Sequence, residues 1–65
     1  MKANIRKIRV AKGLSVKSLA ATVGVSAMSI YRYETGHRLP DIDVAFKIAK
    51  ALGVTVDELI GKKAG

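Results

Sequence analysis

Apolar residues along this chain recur at helical rather than alternating spacing. Ile5 and Ile8 mark a first short helix ending near Lys12, with Gly13 suited to the left-handed position that follows a helix. Ser15 is placed to cap a second helix whose inner face carries Leu19, Ala20 and Val23. Gly24 stops it, Ser26 caps a third helix running to about Thr35, and Gly36 closes that one. His37-Arg38-Leu39-Pro40 reads as a loop, because proline disfavours helix at Leu39 and sets Asp41 as the next N-cap. The fourth helix carries Ile42, Ala45, Ile48, Ala49 and Leu52, with Asp43 early and Lys47 and Lys50 late, as the macrodipole favours. After Gly53, Thr55-Val56-Asp57-Glu58 fits a capping box that opens a last short helix with Leu59 and Ile60. The pattern predicts an all-α chain: an N-terminal arm at 1–4, a compact five-helix domain at 5–60, and a flexible tail at 61–65.

With 65 residues the chain holds a single domain, which buries about 60% of the surface its unfolded form exposes. It has no cysteine, so packing rather than disulfides or thiolate-bound metal must hold it together, and its 49% of hydrophobic residues suffices. The lack of cysteine fits a reducing cytoplasm. No apolar run approaches the roughly 18–20 residues of a membrane span, and Met1-Lys2-Ala3-Asn4 lacks the apolar stretch of a secretory signal.

Charge changes the picture more than length does. The net charge is +7, and the segment from Met1 to Arg38 carries all of it, with eight basic residues against Glu34 alone. From Leu39 onward four lysines meet four carboxylates. An excess segregated in this way points to a polyanionic partner, against the plainer reading of a solvated basic face. The same half holds two short helices joined by the tight turn Gly24-Val25-Ser26. That is the signature of a helix-turn-helix, whose second helix enters the DNA major groove.

A family resemblance extends this reading. Ile5-Arg6-Lys7-Ile8-Arg9, Lys12-Gly13-Leu14-Ser15, Leu19-Ala20, Gly24-Val25-Ser26, Ile30, Tyr33-Glu34, Gly36 and Pro40 together resemble the phage lambda repressor/Cro, or XRE, helix-turn-helix family. Ile48-Ala49-Lys50-Ala51-Leu52-Gly53-Val54 and Asp57-Glu58-Leu59 are similar to that family's last two helices. The resemblance implies a lambda-repressor-like fold with the helix-turn-helix at helices 2 and 3. It further implies a transcriptional regulator, bacterial or phage-encoded and nucleoid-associated in the cytoplasm, that acts on double-stranded DNA as a homodimer without a cofactor. It places the dimer surface on the exposed apolar side of helix five and the neighbouring loop.

At about 100° per residue, Ile30 and Tyr33 fall on one side of helix three, with Glu34 flanking them. Met28, Tyr31, Arg32 and Thr35 fall opposite, with Ala27 and Ser29 at the edges. The candidate base contacts are therefore Ala27, Met28, Tyr31 and Arg32. Arg32 can bind guanine O6 and N7 bidentately, and Ala27 and Met28 can pack on thymine methyl groups. Met28 also suits an adaptable protein-contact surface. For Tyr31, a base edge or phosphate competes with a ring packed along helix two. The candidate phosphate contacts are Ser15 and Val16 through their amides at the helix-two start, Lys17, Ser26, Ser29, His37 and Arg38, with Arg6, Lys7 and Lys12 as further cations. Capping alone accounts for Ser26. The resemblance implies a structural ion pair, Arg9 with Glu34, and a loop after helix three that runs along the DNA backbone at Arg38. At Val16 the chain departs from the family, which often has a glutamine there; valine cannot donate that hydrogen bond.

Catalytic chemistry finds no foothold. His37 is the only histidine, capping explains Asp41, and the glycines are scattered as helix stops, so neither a metal-ligand set nor a nucleophile–base pair can be assembled. The chain reads as a non-enzyme. The rival reading is a protein-interaction module, of antitoxin or adaptor type, using Val16, Ala27 and Met28 as a patch. A membrane-active cationic peptide is a third reading, against which the ordered caps and stop glycines argue.

Overall fold

Side-chain caps start four of the helices. Ser15 Oγ accepts the Ser18 amide at 3.0 Å and opens α2 (Val16–Val23). Ser26 Oγ accepts the Ser29 amide at 3.1 Å and opens α3 (Ala27–Thr35). Asp41 Oδ1 accepts the Val44 amide at 2.9 Å and opens α4 (Ile42–Leu52). Thr55 Oγ1 accepts the Glu58 amide at 3.1 Å and opens α5 (Val56–Leu59). Each bond satisfies an amide that the helix itself leaves unpaired. At α5 the expected capping box takes a different form, since the Thr55 hydroxyl donates to the Glu58 carboxylate at 3.2 Å. The first helix, α1 (Ile5–Ala11), has no side-chain cap; the Asn4 amide instead donates to the Leu59 carbonyl at 2.6 Å and ties the start of the domain to its end.

These features belong to a computed structural model that describes residues 4–60. The rest of the predicted arm and the predicted tail at 61–65 lie outside the described residues.

The second helix packs against both α3 and α4, while α1 lies on α3 and α5 on α4. The core draws a fully buried residue from every helix: Ile5, Leu19, Ile30, Ile48 with Leu52, and Leu59. Burying each contributes roughly 1.5–3 kcal/mol, so every helix depends on the assembly rather than on its own propensity. Tyr33, Ala20, Val23 and Ala49 complete this cluster, with Ile8, Leu14, Val25 and Val54 packed against it.

The apolar pattern misleads at α4. Ile42 is 70% exposed, although its spacing groups it with the core residues of that helix. It sits in the first turn, about 20° round the helix from the buried Ala49, so its exposure comes from its place at the N-terminal end of α4 and not from its angle. Phe46 (60%) and Leu39 (61%) are exposed beside it in sequence. On α5, by contrast, Leu59 is fully buried and Val56 only half-buried. The largest exposed apolar side chains in this part of the molecule are thus on α4 and the loop before it.

Candidate nucleic-acid interface

The turn between α2 and α3 fixes how the pair meets. Gly24 sits at φ +85°, a left-handed conformation that costs least without a Cβ. The amides of Gly24 and Val25 both donate to the Ala20 carbonyl, at 2.8 and 3.1 Å, folding the chain back over the end of α2. Val25, partly buried, then anchors the turn on the core and delivers Ser26 to cap α3.

On α3 the core face is Ile30, fully buried, and Tyr33, 5% exposed. Ala27, Met28, Tyr31, Arg32 and Thr35 are exposed on the other side, and Ser29 is half-buried at its edge. The Ser26 and Ser29 hydroxyls lie 3.0 Å apart, so the first turn holds both. Tyr31 lines a cleft with Arg6, Arg9, Glu34 and Thr35 between α1 and α3, which puts its ring beside the cations of α1. The α2 start lies in the same basic half of the chain. Ser15 and Lys17 are exposed there and Val16 is half-buried. The Ser15 cap takes the Ser18 amide, and the Val16 and Lys17 amides have no partner among the described residues.

Two connections hold this surface in place, and each includes a bond that sequence reasoning missed. Arg9 donates through Nε and Nη2 to the Glu34 carboxylate at 2.6 and 3.2 Å, the ion pair the resemblance implied. Its Nη1 also donates to the Leu14 carbonyl at 2.8 Å. One guanidinium thus links α1, the segment that leads into α2, and the last turn of α3. The bonds to Glu34 raise the Arg9 pKa above its ordinary value, against the opposing effect of burial, and the group stays charged. No sequence signal marks the Leu14 bond, because a backbone carbonyl carries no residue identity.

The second connection lies at the other end of α3. The amides of His37 and Arg38 both donate to the Arg32 carbonyl, at 3.0 and 3.2 Å. The Thr35 hydroxyl donates to the Tyr31 carbonyl at 2.8 Å and also lies 2.8 Å from His37 Nδ1. The exposed loop residues His37 and Arg38 are therefore tethered to the helix rather than free of it. No helix among the described residues is long and apolar enough to cross a membrane, and none of their His, Asp and Glu side chains cluster in threes as metal ligands would.

Two short helices of this geometry, with an exposed outer face on the second that carries Arg32, define a helix-turn-helix domain. A helix-turn-helix family model matches residues 5–59, and the chain belongs to that XRE-type family. It is 46% identical over 50 residues, 77% of its length, to an HTH-type transcriptional regulatory protein of Methanocaldococcus jannaschii. It is 41% identical over 46 residues, 71% of its length, to the cryptic phage CTXphi transcriptional repressor RstR of Vibrio cholerae. The chain spans 16% of the first relative's length and 41% of the second's. A crystal structure of a hypothetical transcription factor, NHTF, from Neisseria superposes with a TM-score of 0.80 at 32% identity, covering 88% of this chain and 66% of that one. These relatives are named as regulators of transcription, a non-enzymatic class.

Proposed function

We propose that this chain is a sequence-specific DNA-binding transcriptional regulator that binds a palindromic operator as a homodimer and represses by occluding polymerase. The observation that carries this reading is the exposed face of α3, where Arg32 stands among Ala27, Met28 and Tyr31 in the half of the chain that holds the whole +7 excess. With its side chains an α-helix is about 10–12 Å across, a fit for a major groove about 12 Å wide. Arg32 reads guanine, and Ala27 and Met28 pack on thymine methyl groups. Tyr31 reaches a base edge or a phosphate from the α1 side. The amides of Val16 and Lys17, with Ser29, His37 and Arg38, hold phosphates and set register. Repression is favoured by the similarity to RstR, which is named a repressor.

The dimer contact is the apolar flank of α4. Phe46 lines a shallow groove of about 410 Å³ with Ala49, Val54 and Val56, so the contact runs from α4 over the following loop to the start of α5, and Ile42 and Leu39 are further exposed apolar side chains at and before the start of α4. The chain from Leu39 onward has no net charge, so two copies meet there without setting their basic halves against each other. Half-sites then lie about one helical turn apart.

The test is selection from random duplexes followed by titration at several salt concentrations, with Arg32→Ala beside the wild type. A palindromic motif is expected, with discrimination falling by about 1–3 kcal/mol at the guanine read by Arg32 while non-specific binding persists. Steep salt dependence with no selected motif would overturn sequence-specific reading and turn attention to a protein partner on Met28 and Ala27.

A further inference from the structure

The way Thr35 holds His37 carries a consequence for how tightly this surface grips a phosphate backbone. The Thr35 hydroxyl has one proton, and 2.8 Å from the Tyr31 carbonyl it must place that proton there, since two bare oxygens at that distance repel. Its lone pair is then what faces His37 Nδ1, also at 2.8 Å. The ring nitrogen is therefore the donor, and the neutral imidazole is held with its proton on Nδ1. Nε2, the other ring nitrogen, is left as a bare acceptor on an exposed residue. Two amide bonds to the Arg32 carbonyl keep this segment against the end of α3, next to Arg38.

We propose that His37 is a protonation-dependent phosphate contact: neutral, it presents a lone pair to the DNA backbone; protonated, it presents a charged donor through Nε2 without giving up the Thr35 bond. This rests on the reading that the face of α3 and its following loop lie against DNA. The charged residues nearest it along the chain are Arg32 and Glu34 on α3, Arg38 in the loop and Asp41 at the start of α4. Glu34 is taken by Arg9, and the Asp41 carboxylate caps α4. Among the described residues Arg9–Glu34 is the one ion pair, so no carboxylate neutralises the ring. The charged form binds DNA better, so affinity falls when the ring gives up its proton. The same linkage makes DNA binding take up protons.

The chain holds a single histidine and no cysteine, and N-terminal acetylation removes the α-amino group, which also changes charge in this pH window. Fluorescence anisotropy with a fixed duplex is run at about pH 5.5 and about pH 8, either side of the range in which histidine changes charge. Each pH is measured at several salt concentrations. The wild type is expected to bind roughly twofold to fivefold more tightly per histidine at the lower pH, the worth of an exposed ion pair. Its salt slope should steepen by about 0.9 per histidine. His37→Gln should bind with one constant at both values. Thr35→Val frees the ring to carry its proton on Nε2 when neutral, so the difference between the two pH values should shrink from the high-pH side. A wild-type affinity and slope unchanged by pH, or a pH effect retained by His37→Gln, would overturn the proposal while leaving the DNA reading intact. Absence of DNA binding at both pH values would overturn the reading beneath it as well.

Discussion

Replacing Glu34 with alanine should be among the most damaging single changes to this fold. The Glu34 side chain is 3% exposed and that of Arg9 12%, so the substitution strips two charge-assisted hydrogen bonds from a part-buried guanidinium. Breaking a buried pair from one side costs about 3–5 kcal/mol, and an exposed pair about 0.2–1 kcal/mol. The Leu14 carbonyl remains as a partner, and the slight exposure of Arg9 admits some water, which sets the expected loss near the lower buried figure, about 3 kcal/mol. A chain of 65 residues has roughly 3–10 kcal/mol of stability in all, so this is a third of it or more. The melting temperature should fall by roughly 12–24 °C. Urea titrations followed by far-UV circular dichroism measure it, with Arg9→Met, Glu34→Leu and the double variant completing a cycle. The double variant should recover most of the loss, because apolar groups of similar volume need no partner. A loss below about 1 kcal/mol for Glu34→Ala, or a coupling energy under about 0.5 kcal/mol, would show that the pair behaves as a surface contact and would refute the argument from burial.

Gly24→Ala tests the turn. A Cβ there meets nothing within 4 Å, so the cost is purely that of an L-residue at φ +85°, about 1–2 kcal/mol in a thermal melt. A change below about 0.5 kcal/mol would mean that the turn can relax out of the left-handed region. The double variant Ile42→Ser, Phe46→Ser should lose no more than about 1–2 kcal/mol of stability, because most of both side chains is already in water. It should bind a single half-site normally yet lose cooperative binding to a full operator. Unchanged cooperativity would rule out the α4 flank as the dimer contact.

The local signals in the sequence were enough to place every helix. Ser15, Ser26, Asp41 and Thr55 each accept an amide three residues on, and that bond depends only on a short polar side chain and the residues that follow it. The same holds for the core and groove faces of α3, since Ile30 with Tyr33 and Met28 with Arg32 separate by rotation about one axis. The segregation of charge, and with it the expectation of a polyanionic partner, needs no coordinates at all. Tertiary structure decided what depends on two distant segments meeting. It exposed Ile42 and Phe46, because which side of α4 is covered depends on where α2 and α5 lie and not on apolar spacing alone. It joined Arg9 to the Leu14 carbonyl, and it put Tyr31 in the cleft beside α1. It also set Thr35 and His37 at hydrogen-bond distance across the left-handed Gly36, at φ +80°. Periodicity records the direction of a side chain relative to its own helix; only the packing of the other helices determines what it meets there.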